Sequence, residues 1–387
     1  MKRTRVSYSS LSAHRRCPQQ WNYQYVRGLI RADDTKVERD FGSWWHTMLA
    51  VDTLHRGREH GSLKSVPKVI KTVDGGPTFD PDTVEFADVL NSANHWWNGL
   101  DEDAQAEWLT RIGEPLPTRL DALYRRYRDR WDEVTKNEIP LAIEMEVERE
   151  IPGDAYLTAT VDEVYLDKRR GIVVVRDHKT AKTLGQQSAI DDLMDSQLQL
   201  YAWAVAGEVV EWGEGKVRAT AYNRARSVAP TLPQVTAQGN LSKATSLYDL
   251  QTYLDWAEGP DGEGVPWGIE DEFFKTGPRK GQPKFGRYTA EDSVIERLSS
   301  PEEQAHWFTR TLTPLNPNII RAHLRAAQDG AKDIARSTKR VKRTGEAPRN
   351  LGAACRSCEF ADLCRAEMYG GSDGDFNPED YGLRTRQ

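Results

Sequence analysis

The stretch VVVRDHKTAK, residues 173–182, decides how this chain is read. Three valines with β-forming character run directly into Asp177 and Lys179. On a strand these two side chains, two residues apart, point to one face, and His178 points to the other. An oxygen donor thus stands beside a compact cation with three N–H donors. Taken alone, Asp-x-Lys is as readily a salt bridge at a strand end as a site. Its surroundings decide between the two.

Working outward, LAIEMEVEREI (141–151), YLTATVDEVYLD (156–167) and GIVVVRD (171–177) alternate as strands do. Gly153 and the Asp167–Gly171 segment supply turns, which predicts a three-stranded antiparallel meander. Asp162 lies six positions before Lys168 and Asp177 eight after Arg169. With ordinary stagger the two carboxylates become near neighbours. Such a pair repels unless a positive charge lies between them. A hard divalent cation, Mg²⁺ or Mn²⁺, is the usual solution. Lys179 alongside could orient an attacking water or stabilise phosphate charge. Glu144, Glu146 and Glu148 alternate on one strand face and read as solvated, with one of them able to approach such an ion.

The rest of the chain supplies helices. Residues 5–30 read as a short turn followed by a helix, with Trp21, Tyr25 and Leu29 at helical spacing. Residues 36–57 read as a second helix, with Phe41, Trp45, Met48 and Leu49 on one side. Residues 60–82, rich in Pro and Gly, read as irregular or hairpin. Residues 83–110 and 117–136 read as amphipathic helices. After the meander come a helix over 191–207 and a strand over 216–225. Residues 226–300 are poor in pattern, 301–335 read as helical, and 336–349 as a basic linker or helix end. The expected fold is α/β, a mixed sheet flanked by helices. The expected plan is a single domain over 1–370, with a helical insertion at about 60–138, a loop-rich and helical insertion at about 226–350, and a loose tail at 371–387.

The chain has 387 residues, a net charge of −6 and 29% charged residues. That mild acidity argues against a non-specific nucleic-acid coat. It is compatible with positive charge focused around an acidic metal site. No run approaches the ~18 apolar residues of a membrane span, and the basic N-terminus lacks the apolar core of a secretory signal. The expectation is an intracellular, cytoplasmic protein with no membrane partner. Most of the twelve tryptophans, including Trp44–Trp45 and Trp96–Trp97, read as core.

The four cysteines are distributed unevenly. Cys17 stands near the start, and Cys355, Cys358 and Cys364 form C-x₂-C-x₅-C near the end. In an intracellular chain such clustering suggests metal rather than disulfides. Four thiolates suit zinc or an iron–sulfur cluster.

Together these features resemble the RecB-like, iron–sulfur branch of the PD-(D/E)xK nuclease superfamily, which includes AddB-type nuclease domains and CRISPR-associated and phage exonucleases. Four motifs occur in family order. GSWWH supplies Gly42 and His46, TATVDEV supplies Asp162, DHK supplies Asp177 and Lys179, and QLQLY supplies Gln197 and Tyr201. The resemblance implies a restriction-endonuclease-like sheet. It also implies His46, Asp162, Asp177 and the backbone carbonyl of His178 as ligands of Mg²⁺ or Mn²⁺, with Lys179 as the catalytic lysine. Gln197 and Tyr201, four apart on one helix face, would hold Lys179, the phosphate or the DNA strand. The one-plus-three split of Cys17 and Cys355, Cys358 and Cys364 resembles the [4Fe–4S] site of these nucleases, a staple between the two ends of the chain; Zn²⁺ is the alternative. One departure is plain: Ala159 stands where the family often has a glycine, three residues before Asp162.

A nuclease needs contacts to phosphate. Lys275, Arg279, Lys280, Lys284 and Arg287 in a Gly/Pro loop are candidates, as are Arg336, Lys339, Arg340, Lys342 and Arg343 beside the cysteines. No G-x-x-x-x-G-K-[ST] stretch is present, so a stand-alone nuclease is expected rather than a helicase subunit. The resemblance implies a DNA exonuclease acting on single strands or duplex ends in recombination or repair, phage or bacterial, with a partner protein open. Two other readings remain. One is an end-trimming endonuclease of CRISPR-adaptation type, which circular single-stranded DNA would distinguish. The other is a DNA-binding assembly protein with a degenerate site. Polarity, processivity and oligomeric state leave no signature in the sequence.

Overall fold

The meander forms where the alternation predicts it. The computed structural model of the chain describes residues 4–31, 37–152, 155–184, 189–242, 247–369 and 381–383. Its main sheet has six strands: β1 (Thr4–Ser7), β2 (Glu138–Ile151), β3 (Ala155–Asp167), β4 (Ile172–Ala181), β5 (Val217–Arg226) and β6 (Phe308–Pro314). β2 pairs antiparallel with β3 along its length. β4 is antiparallel to β3, β5 parallel to β4, and β6 antiparallel to β5. The result is a mixed α/β sheet.

A strand has two edges, and β2 occupies one edge of β3. β1 and β4 therefore share the other. β4 pairs there from Asp167↔Ile172 to Glu163↔Arg176. β1 runs parallel from Thr4↔Ala155 to Ser7↔Thr158. Between them, residues 159–162 of β3 face a fork in the sheet, and Asp162 lies at its apex.

Helices cover both faces. On one side lie α1 (Tyr8–Arg16), α4 (Ser196–Glu211) and α5 (Pro317–Thr344). Their Leu11, Leu198, Val205, Ala331 and Ile334 pack with Val173 and Val175. On the other side lie α2 (Val37–His60) and α3 (Leu116–Thr135). Here Phe41, Trp45, Met48, Leu120 and Tyr127 pack with Ile143 and Phe308. Each such side chain contributes roughly 1.5–3 kcal/mol on burial. Trp44 and Trp45 are fully buried, as a core role requires.

The structure refines several sequence-based expectations. The start of the 5–30 stretch, read as a short turn, belongs to strand β1, too short to display a period. Residues 301–335, read as helical, contain the strand β6 before α5 begins at Pro317. FTRTLTP is threonine-rich, and Pro314 closes it at the sheet edge, where a missing N–H is tolerated. Of the two readings of the basic stretch from 336 onward, the helix end holds as far as Thr344, where α5 stops.

The pattern-poor 226–300 region holds a helix (Leu250–Glu258), a hairpin (Val265–Phe273 with Pro283–Tyr288) and a helix (Asp292–Leu298), around a small core of Tyr248, Tyr253, Tyr288 and Leu298. Of the expected loose tail, Tyr381–Leu383 pair with Leu29–Arg31, and the remainder lies outside the described residues. No helix among the described residues is long and apolar enough to cross a membrane.

Candidate active site

The sheet's fork places Asp162 beside the start of the Asp177–Lys179 segment. The next register step beyond Glu163↔Arg176 sets Asp162 opposite Asp177, yet the backbone ladder stops there. In place of a strand carbonyl, the Asp162 carboxylate accepts the His178 N–H at 2.7 Å. The carboxylate thereby satisfies a backbone donor that the splayed strand would otherwise orphan.

α2 brings His46 to the same point. A Cβ at Gly42 would stand 3.2 Å from Thr180 Oγ1, so glycine lets the helix sit close against the end of β4. One turn later His46 Nδ1 lies 3.4 Å from Asp162 Oδ2. Glu144 completes a group. Ligand atoms of His46, Glu144 and Asp162 all lie within 4.8 Å of one another. Glu144 falls between Ile143↔Glu163 and Met145↔Val161 on the ladder, opposite Asp162. Its φ of 43° puts it in the left-handed region, uncommon for a residue with a side chain. Such backbone strain concentrates at functional sites. One imidazole and two carboxylates form a donor set able to hold a divalent cation.

Asp177 does not belong to that three-residue group. Its carboxylate receives Lys179 Nζ at 2.8 Å on one oxygen and Gln197 Nε2 at 3.1 Å on the other. Gln197 stands in the first turn of α4, which Asp195 caps through the Gln197 N–H. Burial first, then the charges of Asp177 and Asp162, push the hydroxyl pKa of Tyr201, one turn on, upward. Burial first, and Asp162 second, push the Asp177 carboxyl up to about 6, against the pull of Lys179 and His46. Burial, then Asp162 and Asp177, raise Glu144 well above the usual carboxylate range. Burial alone would lower Lys179, but Asp177 outweighs it and keeps the ammonium protonated. Three carboxylates thus face one ammonium here, and the site is short of positive charge.

His178 faces away from the acids into a buried polar layer. Its Nδ1 lies 2.9 Å from Asn223 Nδ2, and Asn223 also donates to the Tyr127 hydroxyl at 3.0 Å. Arg310 reaches Tyr127 at 3.0 Å and Glu138 at 3.2 Å. The fully buried Arg176 lies 2.8 Å from Glu163 and 2.6 Å from Glu138. Burial, with the positive charges of His46 and Arg176, drives the His178 pKa well down, so its ring is neutral. Sequence reasoning did not find this layer; alternating Glu and Arg on strands signal solvent until the covering helices are known.

His46, Glu144 and Lys179 open into a groove of about 600 Å³. α2 supplies one wall through Arg39, Ser43 and His46, and residues 67–72 supply another. Sequence reasoning missed the second wall, since its Pro-flanked run has no period.

Cys17, Cys355, Cys358 and Cys364 line one cavity of about 460 Å³. None is in a disulfide. Arg349 Nε donates to Cys364 Sγ at 3.3 Å and Asn350 N–H to Cys17 Sγ at 3.5 Å. Four thiols from both ends of the chain thus share one cavity, with N–H donors to two of the sulfurs, but among the described residues they do not form a group as tight as that of His46, Glu144 and Asp162. Direct bonds also join the two ends: the Gln19 N–H donates to Pro348 O at 3.0 Å, and Tyr23 donates to Glu367 at 2.6 Å.

The expected basic patches differ in character. On the 265–288 hairpin, Lys284 pairs with Glu272, Arg287 pairs with Asp261, and Arg279 stacks over Phe274 at 4.4 Å. Only Lys275 and Lys280 of that set extend freely into solvent. At the end of α5, Arg336 pairs with Asp333, while Lys339, Arg340, Lys342 and Arg343 are exposed.

Comparison with known proteins agrees with this geometry. The family model described as "PD-(D/E)XK nuclease superfamily" matches residues 5–365. No curated protein matches the sequence. Two solved structures show a distant likeness. The crystal structure of SSO0001 is 12% identical with a TM-score of 0.23, covering 74% of this chain and 98% of its own. A phage-related exonuclease from Haemophilus somnus 129PT is 13% identical with a TM-score of 0.21, covering 56% and 74%. Likenesses this low carry no weight for fold or function.

Proposed function

The chain belongs to the PD-(D/E)XK nuclease superfamily, and we propose that it is a Mg²⁺- or Mn²⁺-dependent DNA exonuclease. In this reading it acts inside the cell on single strands or duplex ends, in recombination or repair. The observation that carries the proposal is the convergence of His46, Glu144 and Asp162 within 4.8 Å, one register step from an Asp177–Lys179 pair held at 2.8 Å.

His46, Asp162 and Glu144 would hold the cation, with Asp177 and the His178 carbonyl at its border. When bound, the ion neutralises phosphate charge and lowers the pKa of a coordinated water. The chain's own groups do the rest. Lys179, kept protonated by Asp177, presents N–H donors to the scissile phosphate, where negative charge develops. Gln197 fixes the Asp177 carboxylate from α4, and Tyr201 closes the same side. The neutral His178 ring, held by Asn223, anchors the peptide that carries both functional neighbours.

The same proposal assigns the chain to the RecB-like branch and gives the four thiols a [4Fe–4S] cluster. The cluster ties the first helices to the C-terminal segment. Anaerobically purified protein should show a broad shoulder near about 400 nm from iron–thiolate charge transfer; a colourless protein containing one zinc ion would replace the cluster with zinc.

The nuclease test uses linear single-stranded DNA labelled at either end, with Mn²⁺ and with Asp177→Ala as control. Release of mononucleotides or short products from one end by wild type alone supports an exonuclease. Cleavage of circular single-stranded DNA would turn the assignment to an endonuclease. DNA binding without cleavage in any divalent metal would sink the enzymatic reading.

A further inference from the structure

Beside the acids runs a segment that the proposed chemistry does not use. Residues 62–72 leave the end of α2, pass along β2 and reach the groove. The segment is held firmly. Ser62 Oγ donates to Pro140 O at 2.6 Å, the Lys64 N–H to Leu141 O at 2.7 Å and the Ile143 N–H to Ser65 O at 3.2 Å. Thr47 Oγ1, on α2 next to His46, donates to Lys71 O at 3.0 Å. A short hairpin, Ile70–Lys71 with Thr78–Phe79, braces its far end.

What this rigid arm exposes is unusual. Val66 and Val69 are 39% and 41% exposed, and Lys68 and Lys71 alternate with them. Lys64 is taken up by Glu214 at 3.0 Å. Among the described residues, Lys68 and Lys71 have no ion-pair partner. Val69 and Lys71 line the same groove as Lys179, and Val66 and Lys68 lie just outside it. Apolar and cationic side chains thus alternate along an edge that leads straight to the proposed scissile position.

We infer that this arm is the binding edge for a single polynucleotide strand entering the active site. Lys68 and Lys71 take phosphates next to the scissile one, and Val66 and Val69 pack against sugars or unstacked bases. The alternation favours one strand: an exposed base or sugar offers the valines an apolar surface, which the phosphate-lined outside of a duplex does not. The inference rests on the nuclease reading above.

The test measures anisotropy of a short fluorescein-labelled oligothymidylate across a salt series, with no Mg²⁺ or Mn²⁺ added. Each phosphate contact contributes about 0.7 to the slope of log K against log salt for single strands. The Lys68→Gln/Lys71→Gln double variant should therefore lose about 1.4 of slope, corresponding to about 25-fold weaker binding near 0.1 M salt. Lys68→Arg/Lys71→Arg should restore it. Matching circular dichroism melts establish that the variants are folded. If wild type binds and the double variant keeps its slope, the arm is not the binding edge. An equal loss on a blunt duplex overturns the single-strand assignment. If wild type itself does not bind the oligonucleotide, the arm is not a single-strand binding edge, while the nuclease reading stands or falls separately on the end-labelled cleavage assay.

Discussion

The backbone N–H of His178 donates to the Asp162 carboxylate at 2.7 Å, at the point where β3 and β4 part. One side chain therefore has two duties: it caps a broken ladder and stands among the candidate metal ligands. Substitutions separate them. Asp162→Asn keeps an acceptor for the His178 N–H, whereas Asp162→Ala leaves that donor buried and unsatisfied, at a cost of roughly 1–3 kcal/mol. Both should lose activity by about 100-fold or more. Urea melts should place the alanine variant about 1–2 kcal/mol below the asparagine variant. Equal stabilities would mean that the hydrogen bond contributes nothing to holding the fork.

Glu144 is the acid whose inclusion rests on geometry alone. Its place beside His46 and Asp162 predicts that Glu144→Gln weakens Mn²⁺ binding by about tenfold or more in calorimetry, before any substrate is added. Glu144→Gly should weaken it equally. Because glycine adopts a φ of 43° without penalty, and the strained position costs on the order of 1 kcal/mol, the glycine variant should melt no lower than wild type in metal-free buffer. Unchanged Mn²⁺ affinity in both would remove Glu144 from the site.

The contrast between Glu144 and Asp177 shows what the sequence could and could not convey. Counting from the Asp167–Gly171 turn sets Asp162 and Asp177 side by side, because a hairpin register is local and the alternation fixes which side chains share a face. The same alternation makes Glu144 look solvated. Its half-buried place at the groove comes from a left-handed residue in β2 and from α2 packing above it, neither of which has a local signal. His46 was reached through the motif resemblance, since periodicity cannot tell which strand a helix of 24 residues will cover. β1 is four residues long, below the length at which a pattern can be read. The 62–72 arm is extended without regular alternation, held by bonds to Pro140, Leu141 and Thr47 that only the tertiary structure supplies.

Asp177 makes stability depend on pH. Its folded pKa of about 6 lies above the ordinary 3.8. A raised carboxyl binds its proton more tightly when folded, so its stabilising contribution is complete below about pH 4 and is lost as pH rises through 6. The full difference corresponds to about 3 kcal/mol at 1.36 kcal/mol per unit. Asp177→Asn, which mimics the protonated form, should be the more stable protein at pH 8 without metal, by about 1–3 kcal/mol. The gap should close as pH falls below 5. Adding Mn²⁺ at pH 8 should raise the wild-type melting temperature and narrow the gap from the other side. A gap independent of pH would mean that the Asp177 charge is already compensated in the free protein.

Beneath the site, Arg176 is fully buried between Glu163 at 2.8 Å and Glu138 at 2.6 Å, and Glu163 also receives Arg56 at 3.1 Å. Burial alone would lower the pKa of this guanidinium; the two carboxylates more than offset that and hold it charged. Burial also pushes the Glu163 carboxyl up, but Arg176 and Arg56 pull it below its ordinary range. Removing one member of a buried pair leaves its partners uncompensated, at roughly 3–5 kcal/mol. Arg176→Met should therefore be severely destabilised or insoluble. A double change, Arg176→Met with Glu163→Gln, removes one charge of each sign and leaves Arg56 on Asp52 and Arg310 on Glu138, so it should recover at least about half of that loss. Because Arg176 directly precedes Asp177, the double variant also reads the layer's second role. If the layer only stabilises the fold, the refolded double variant binds Mn²⁺ like wild type. If it also sets the position of the Asp177–Lys179 segment, which its place under the sheet implies, Mn²⁺ affinity falls by about tenfold even though all the ligands remain.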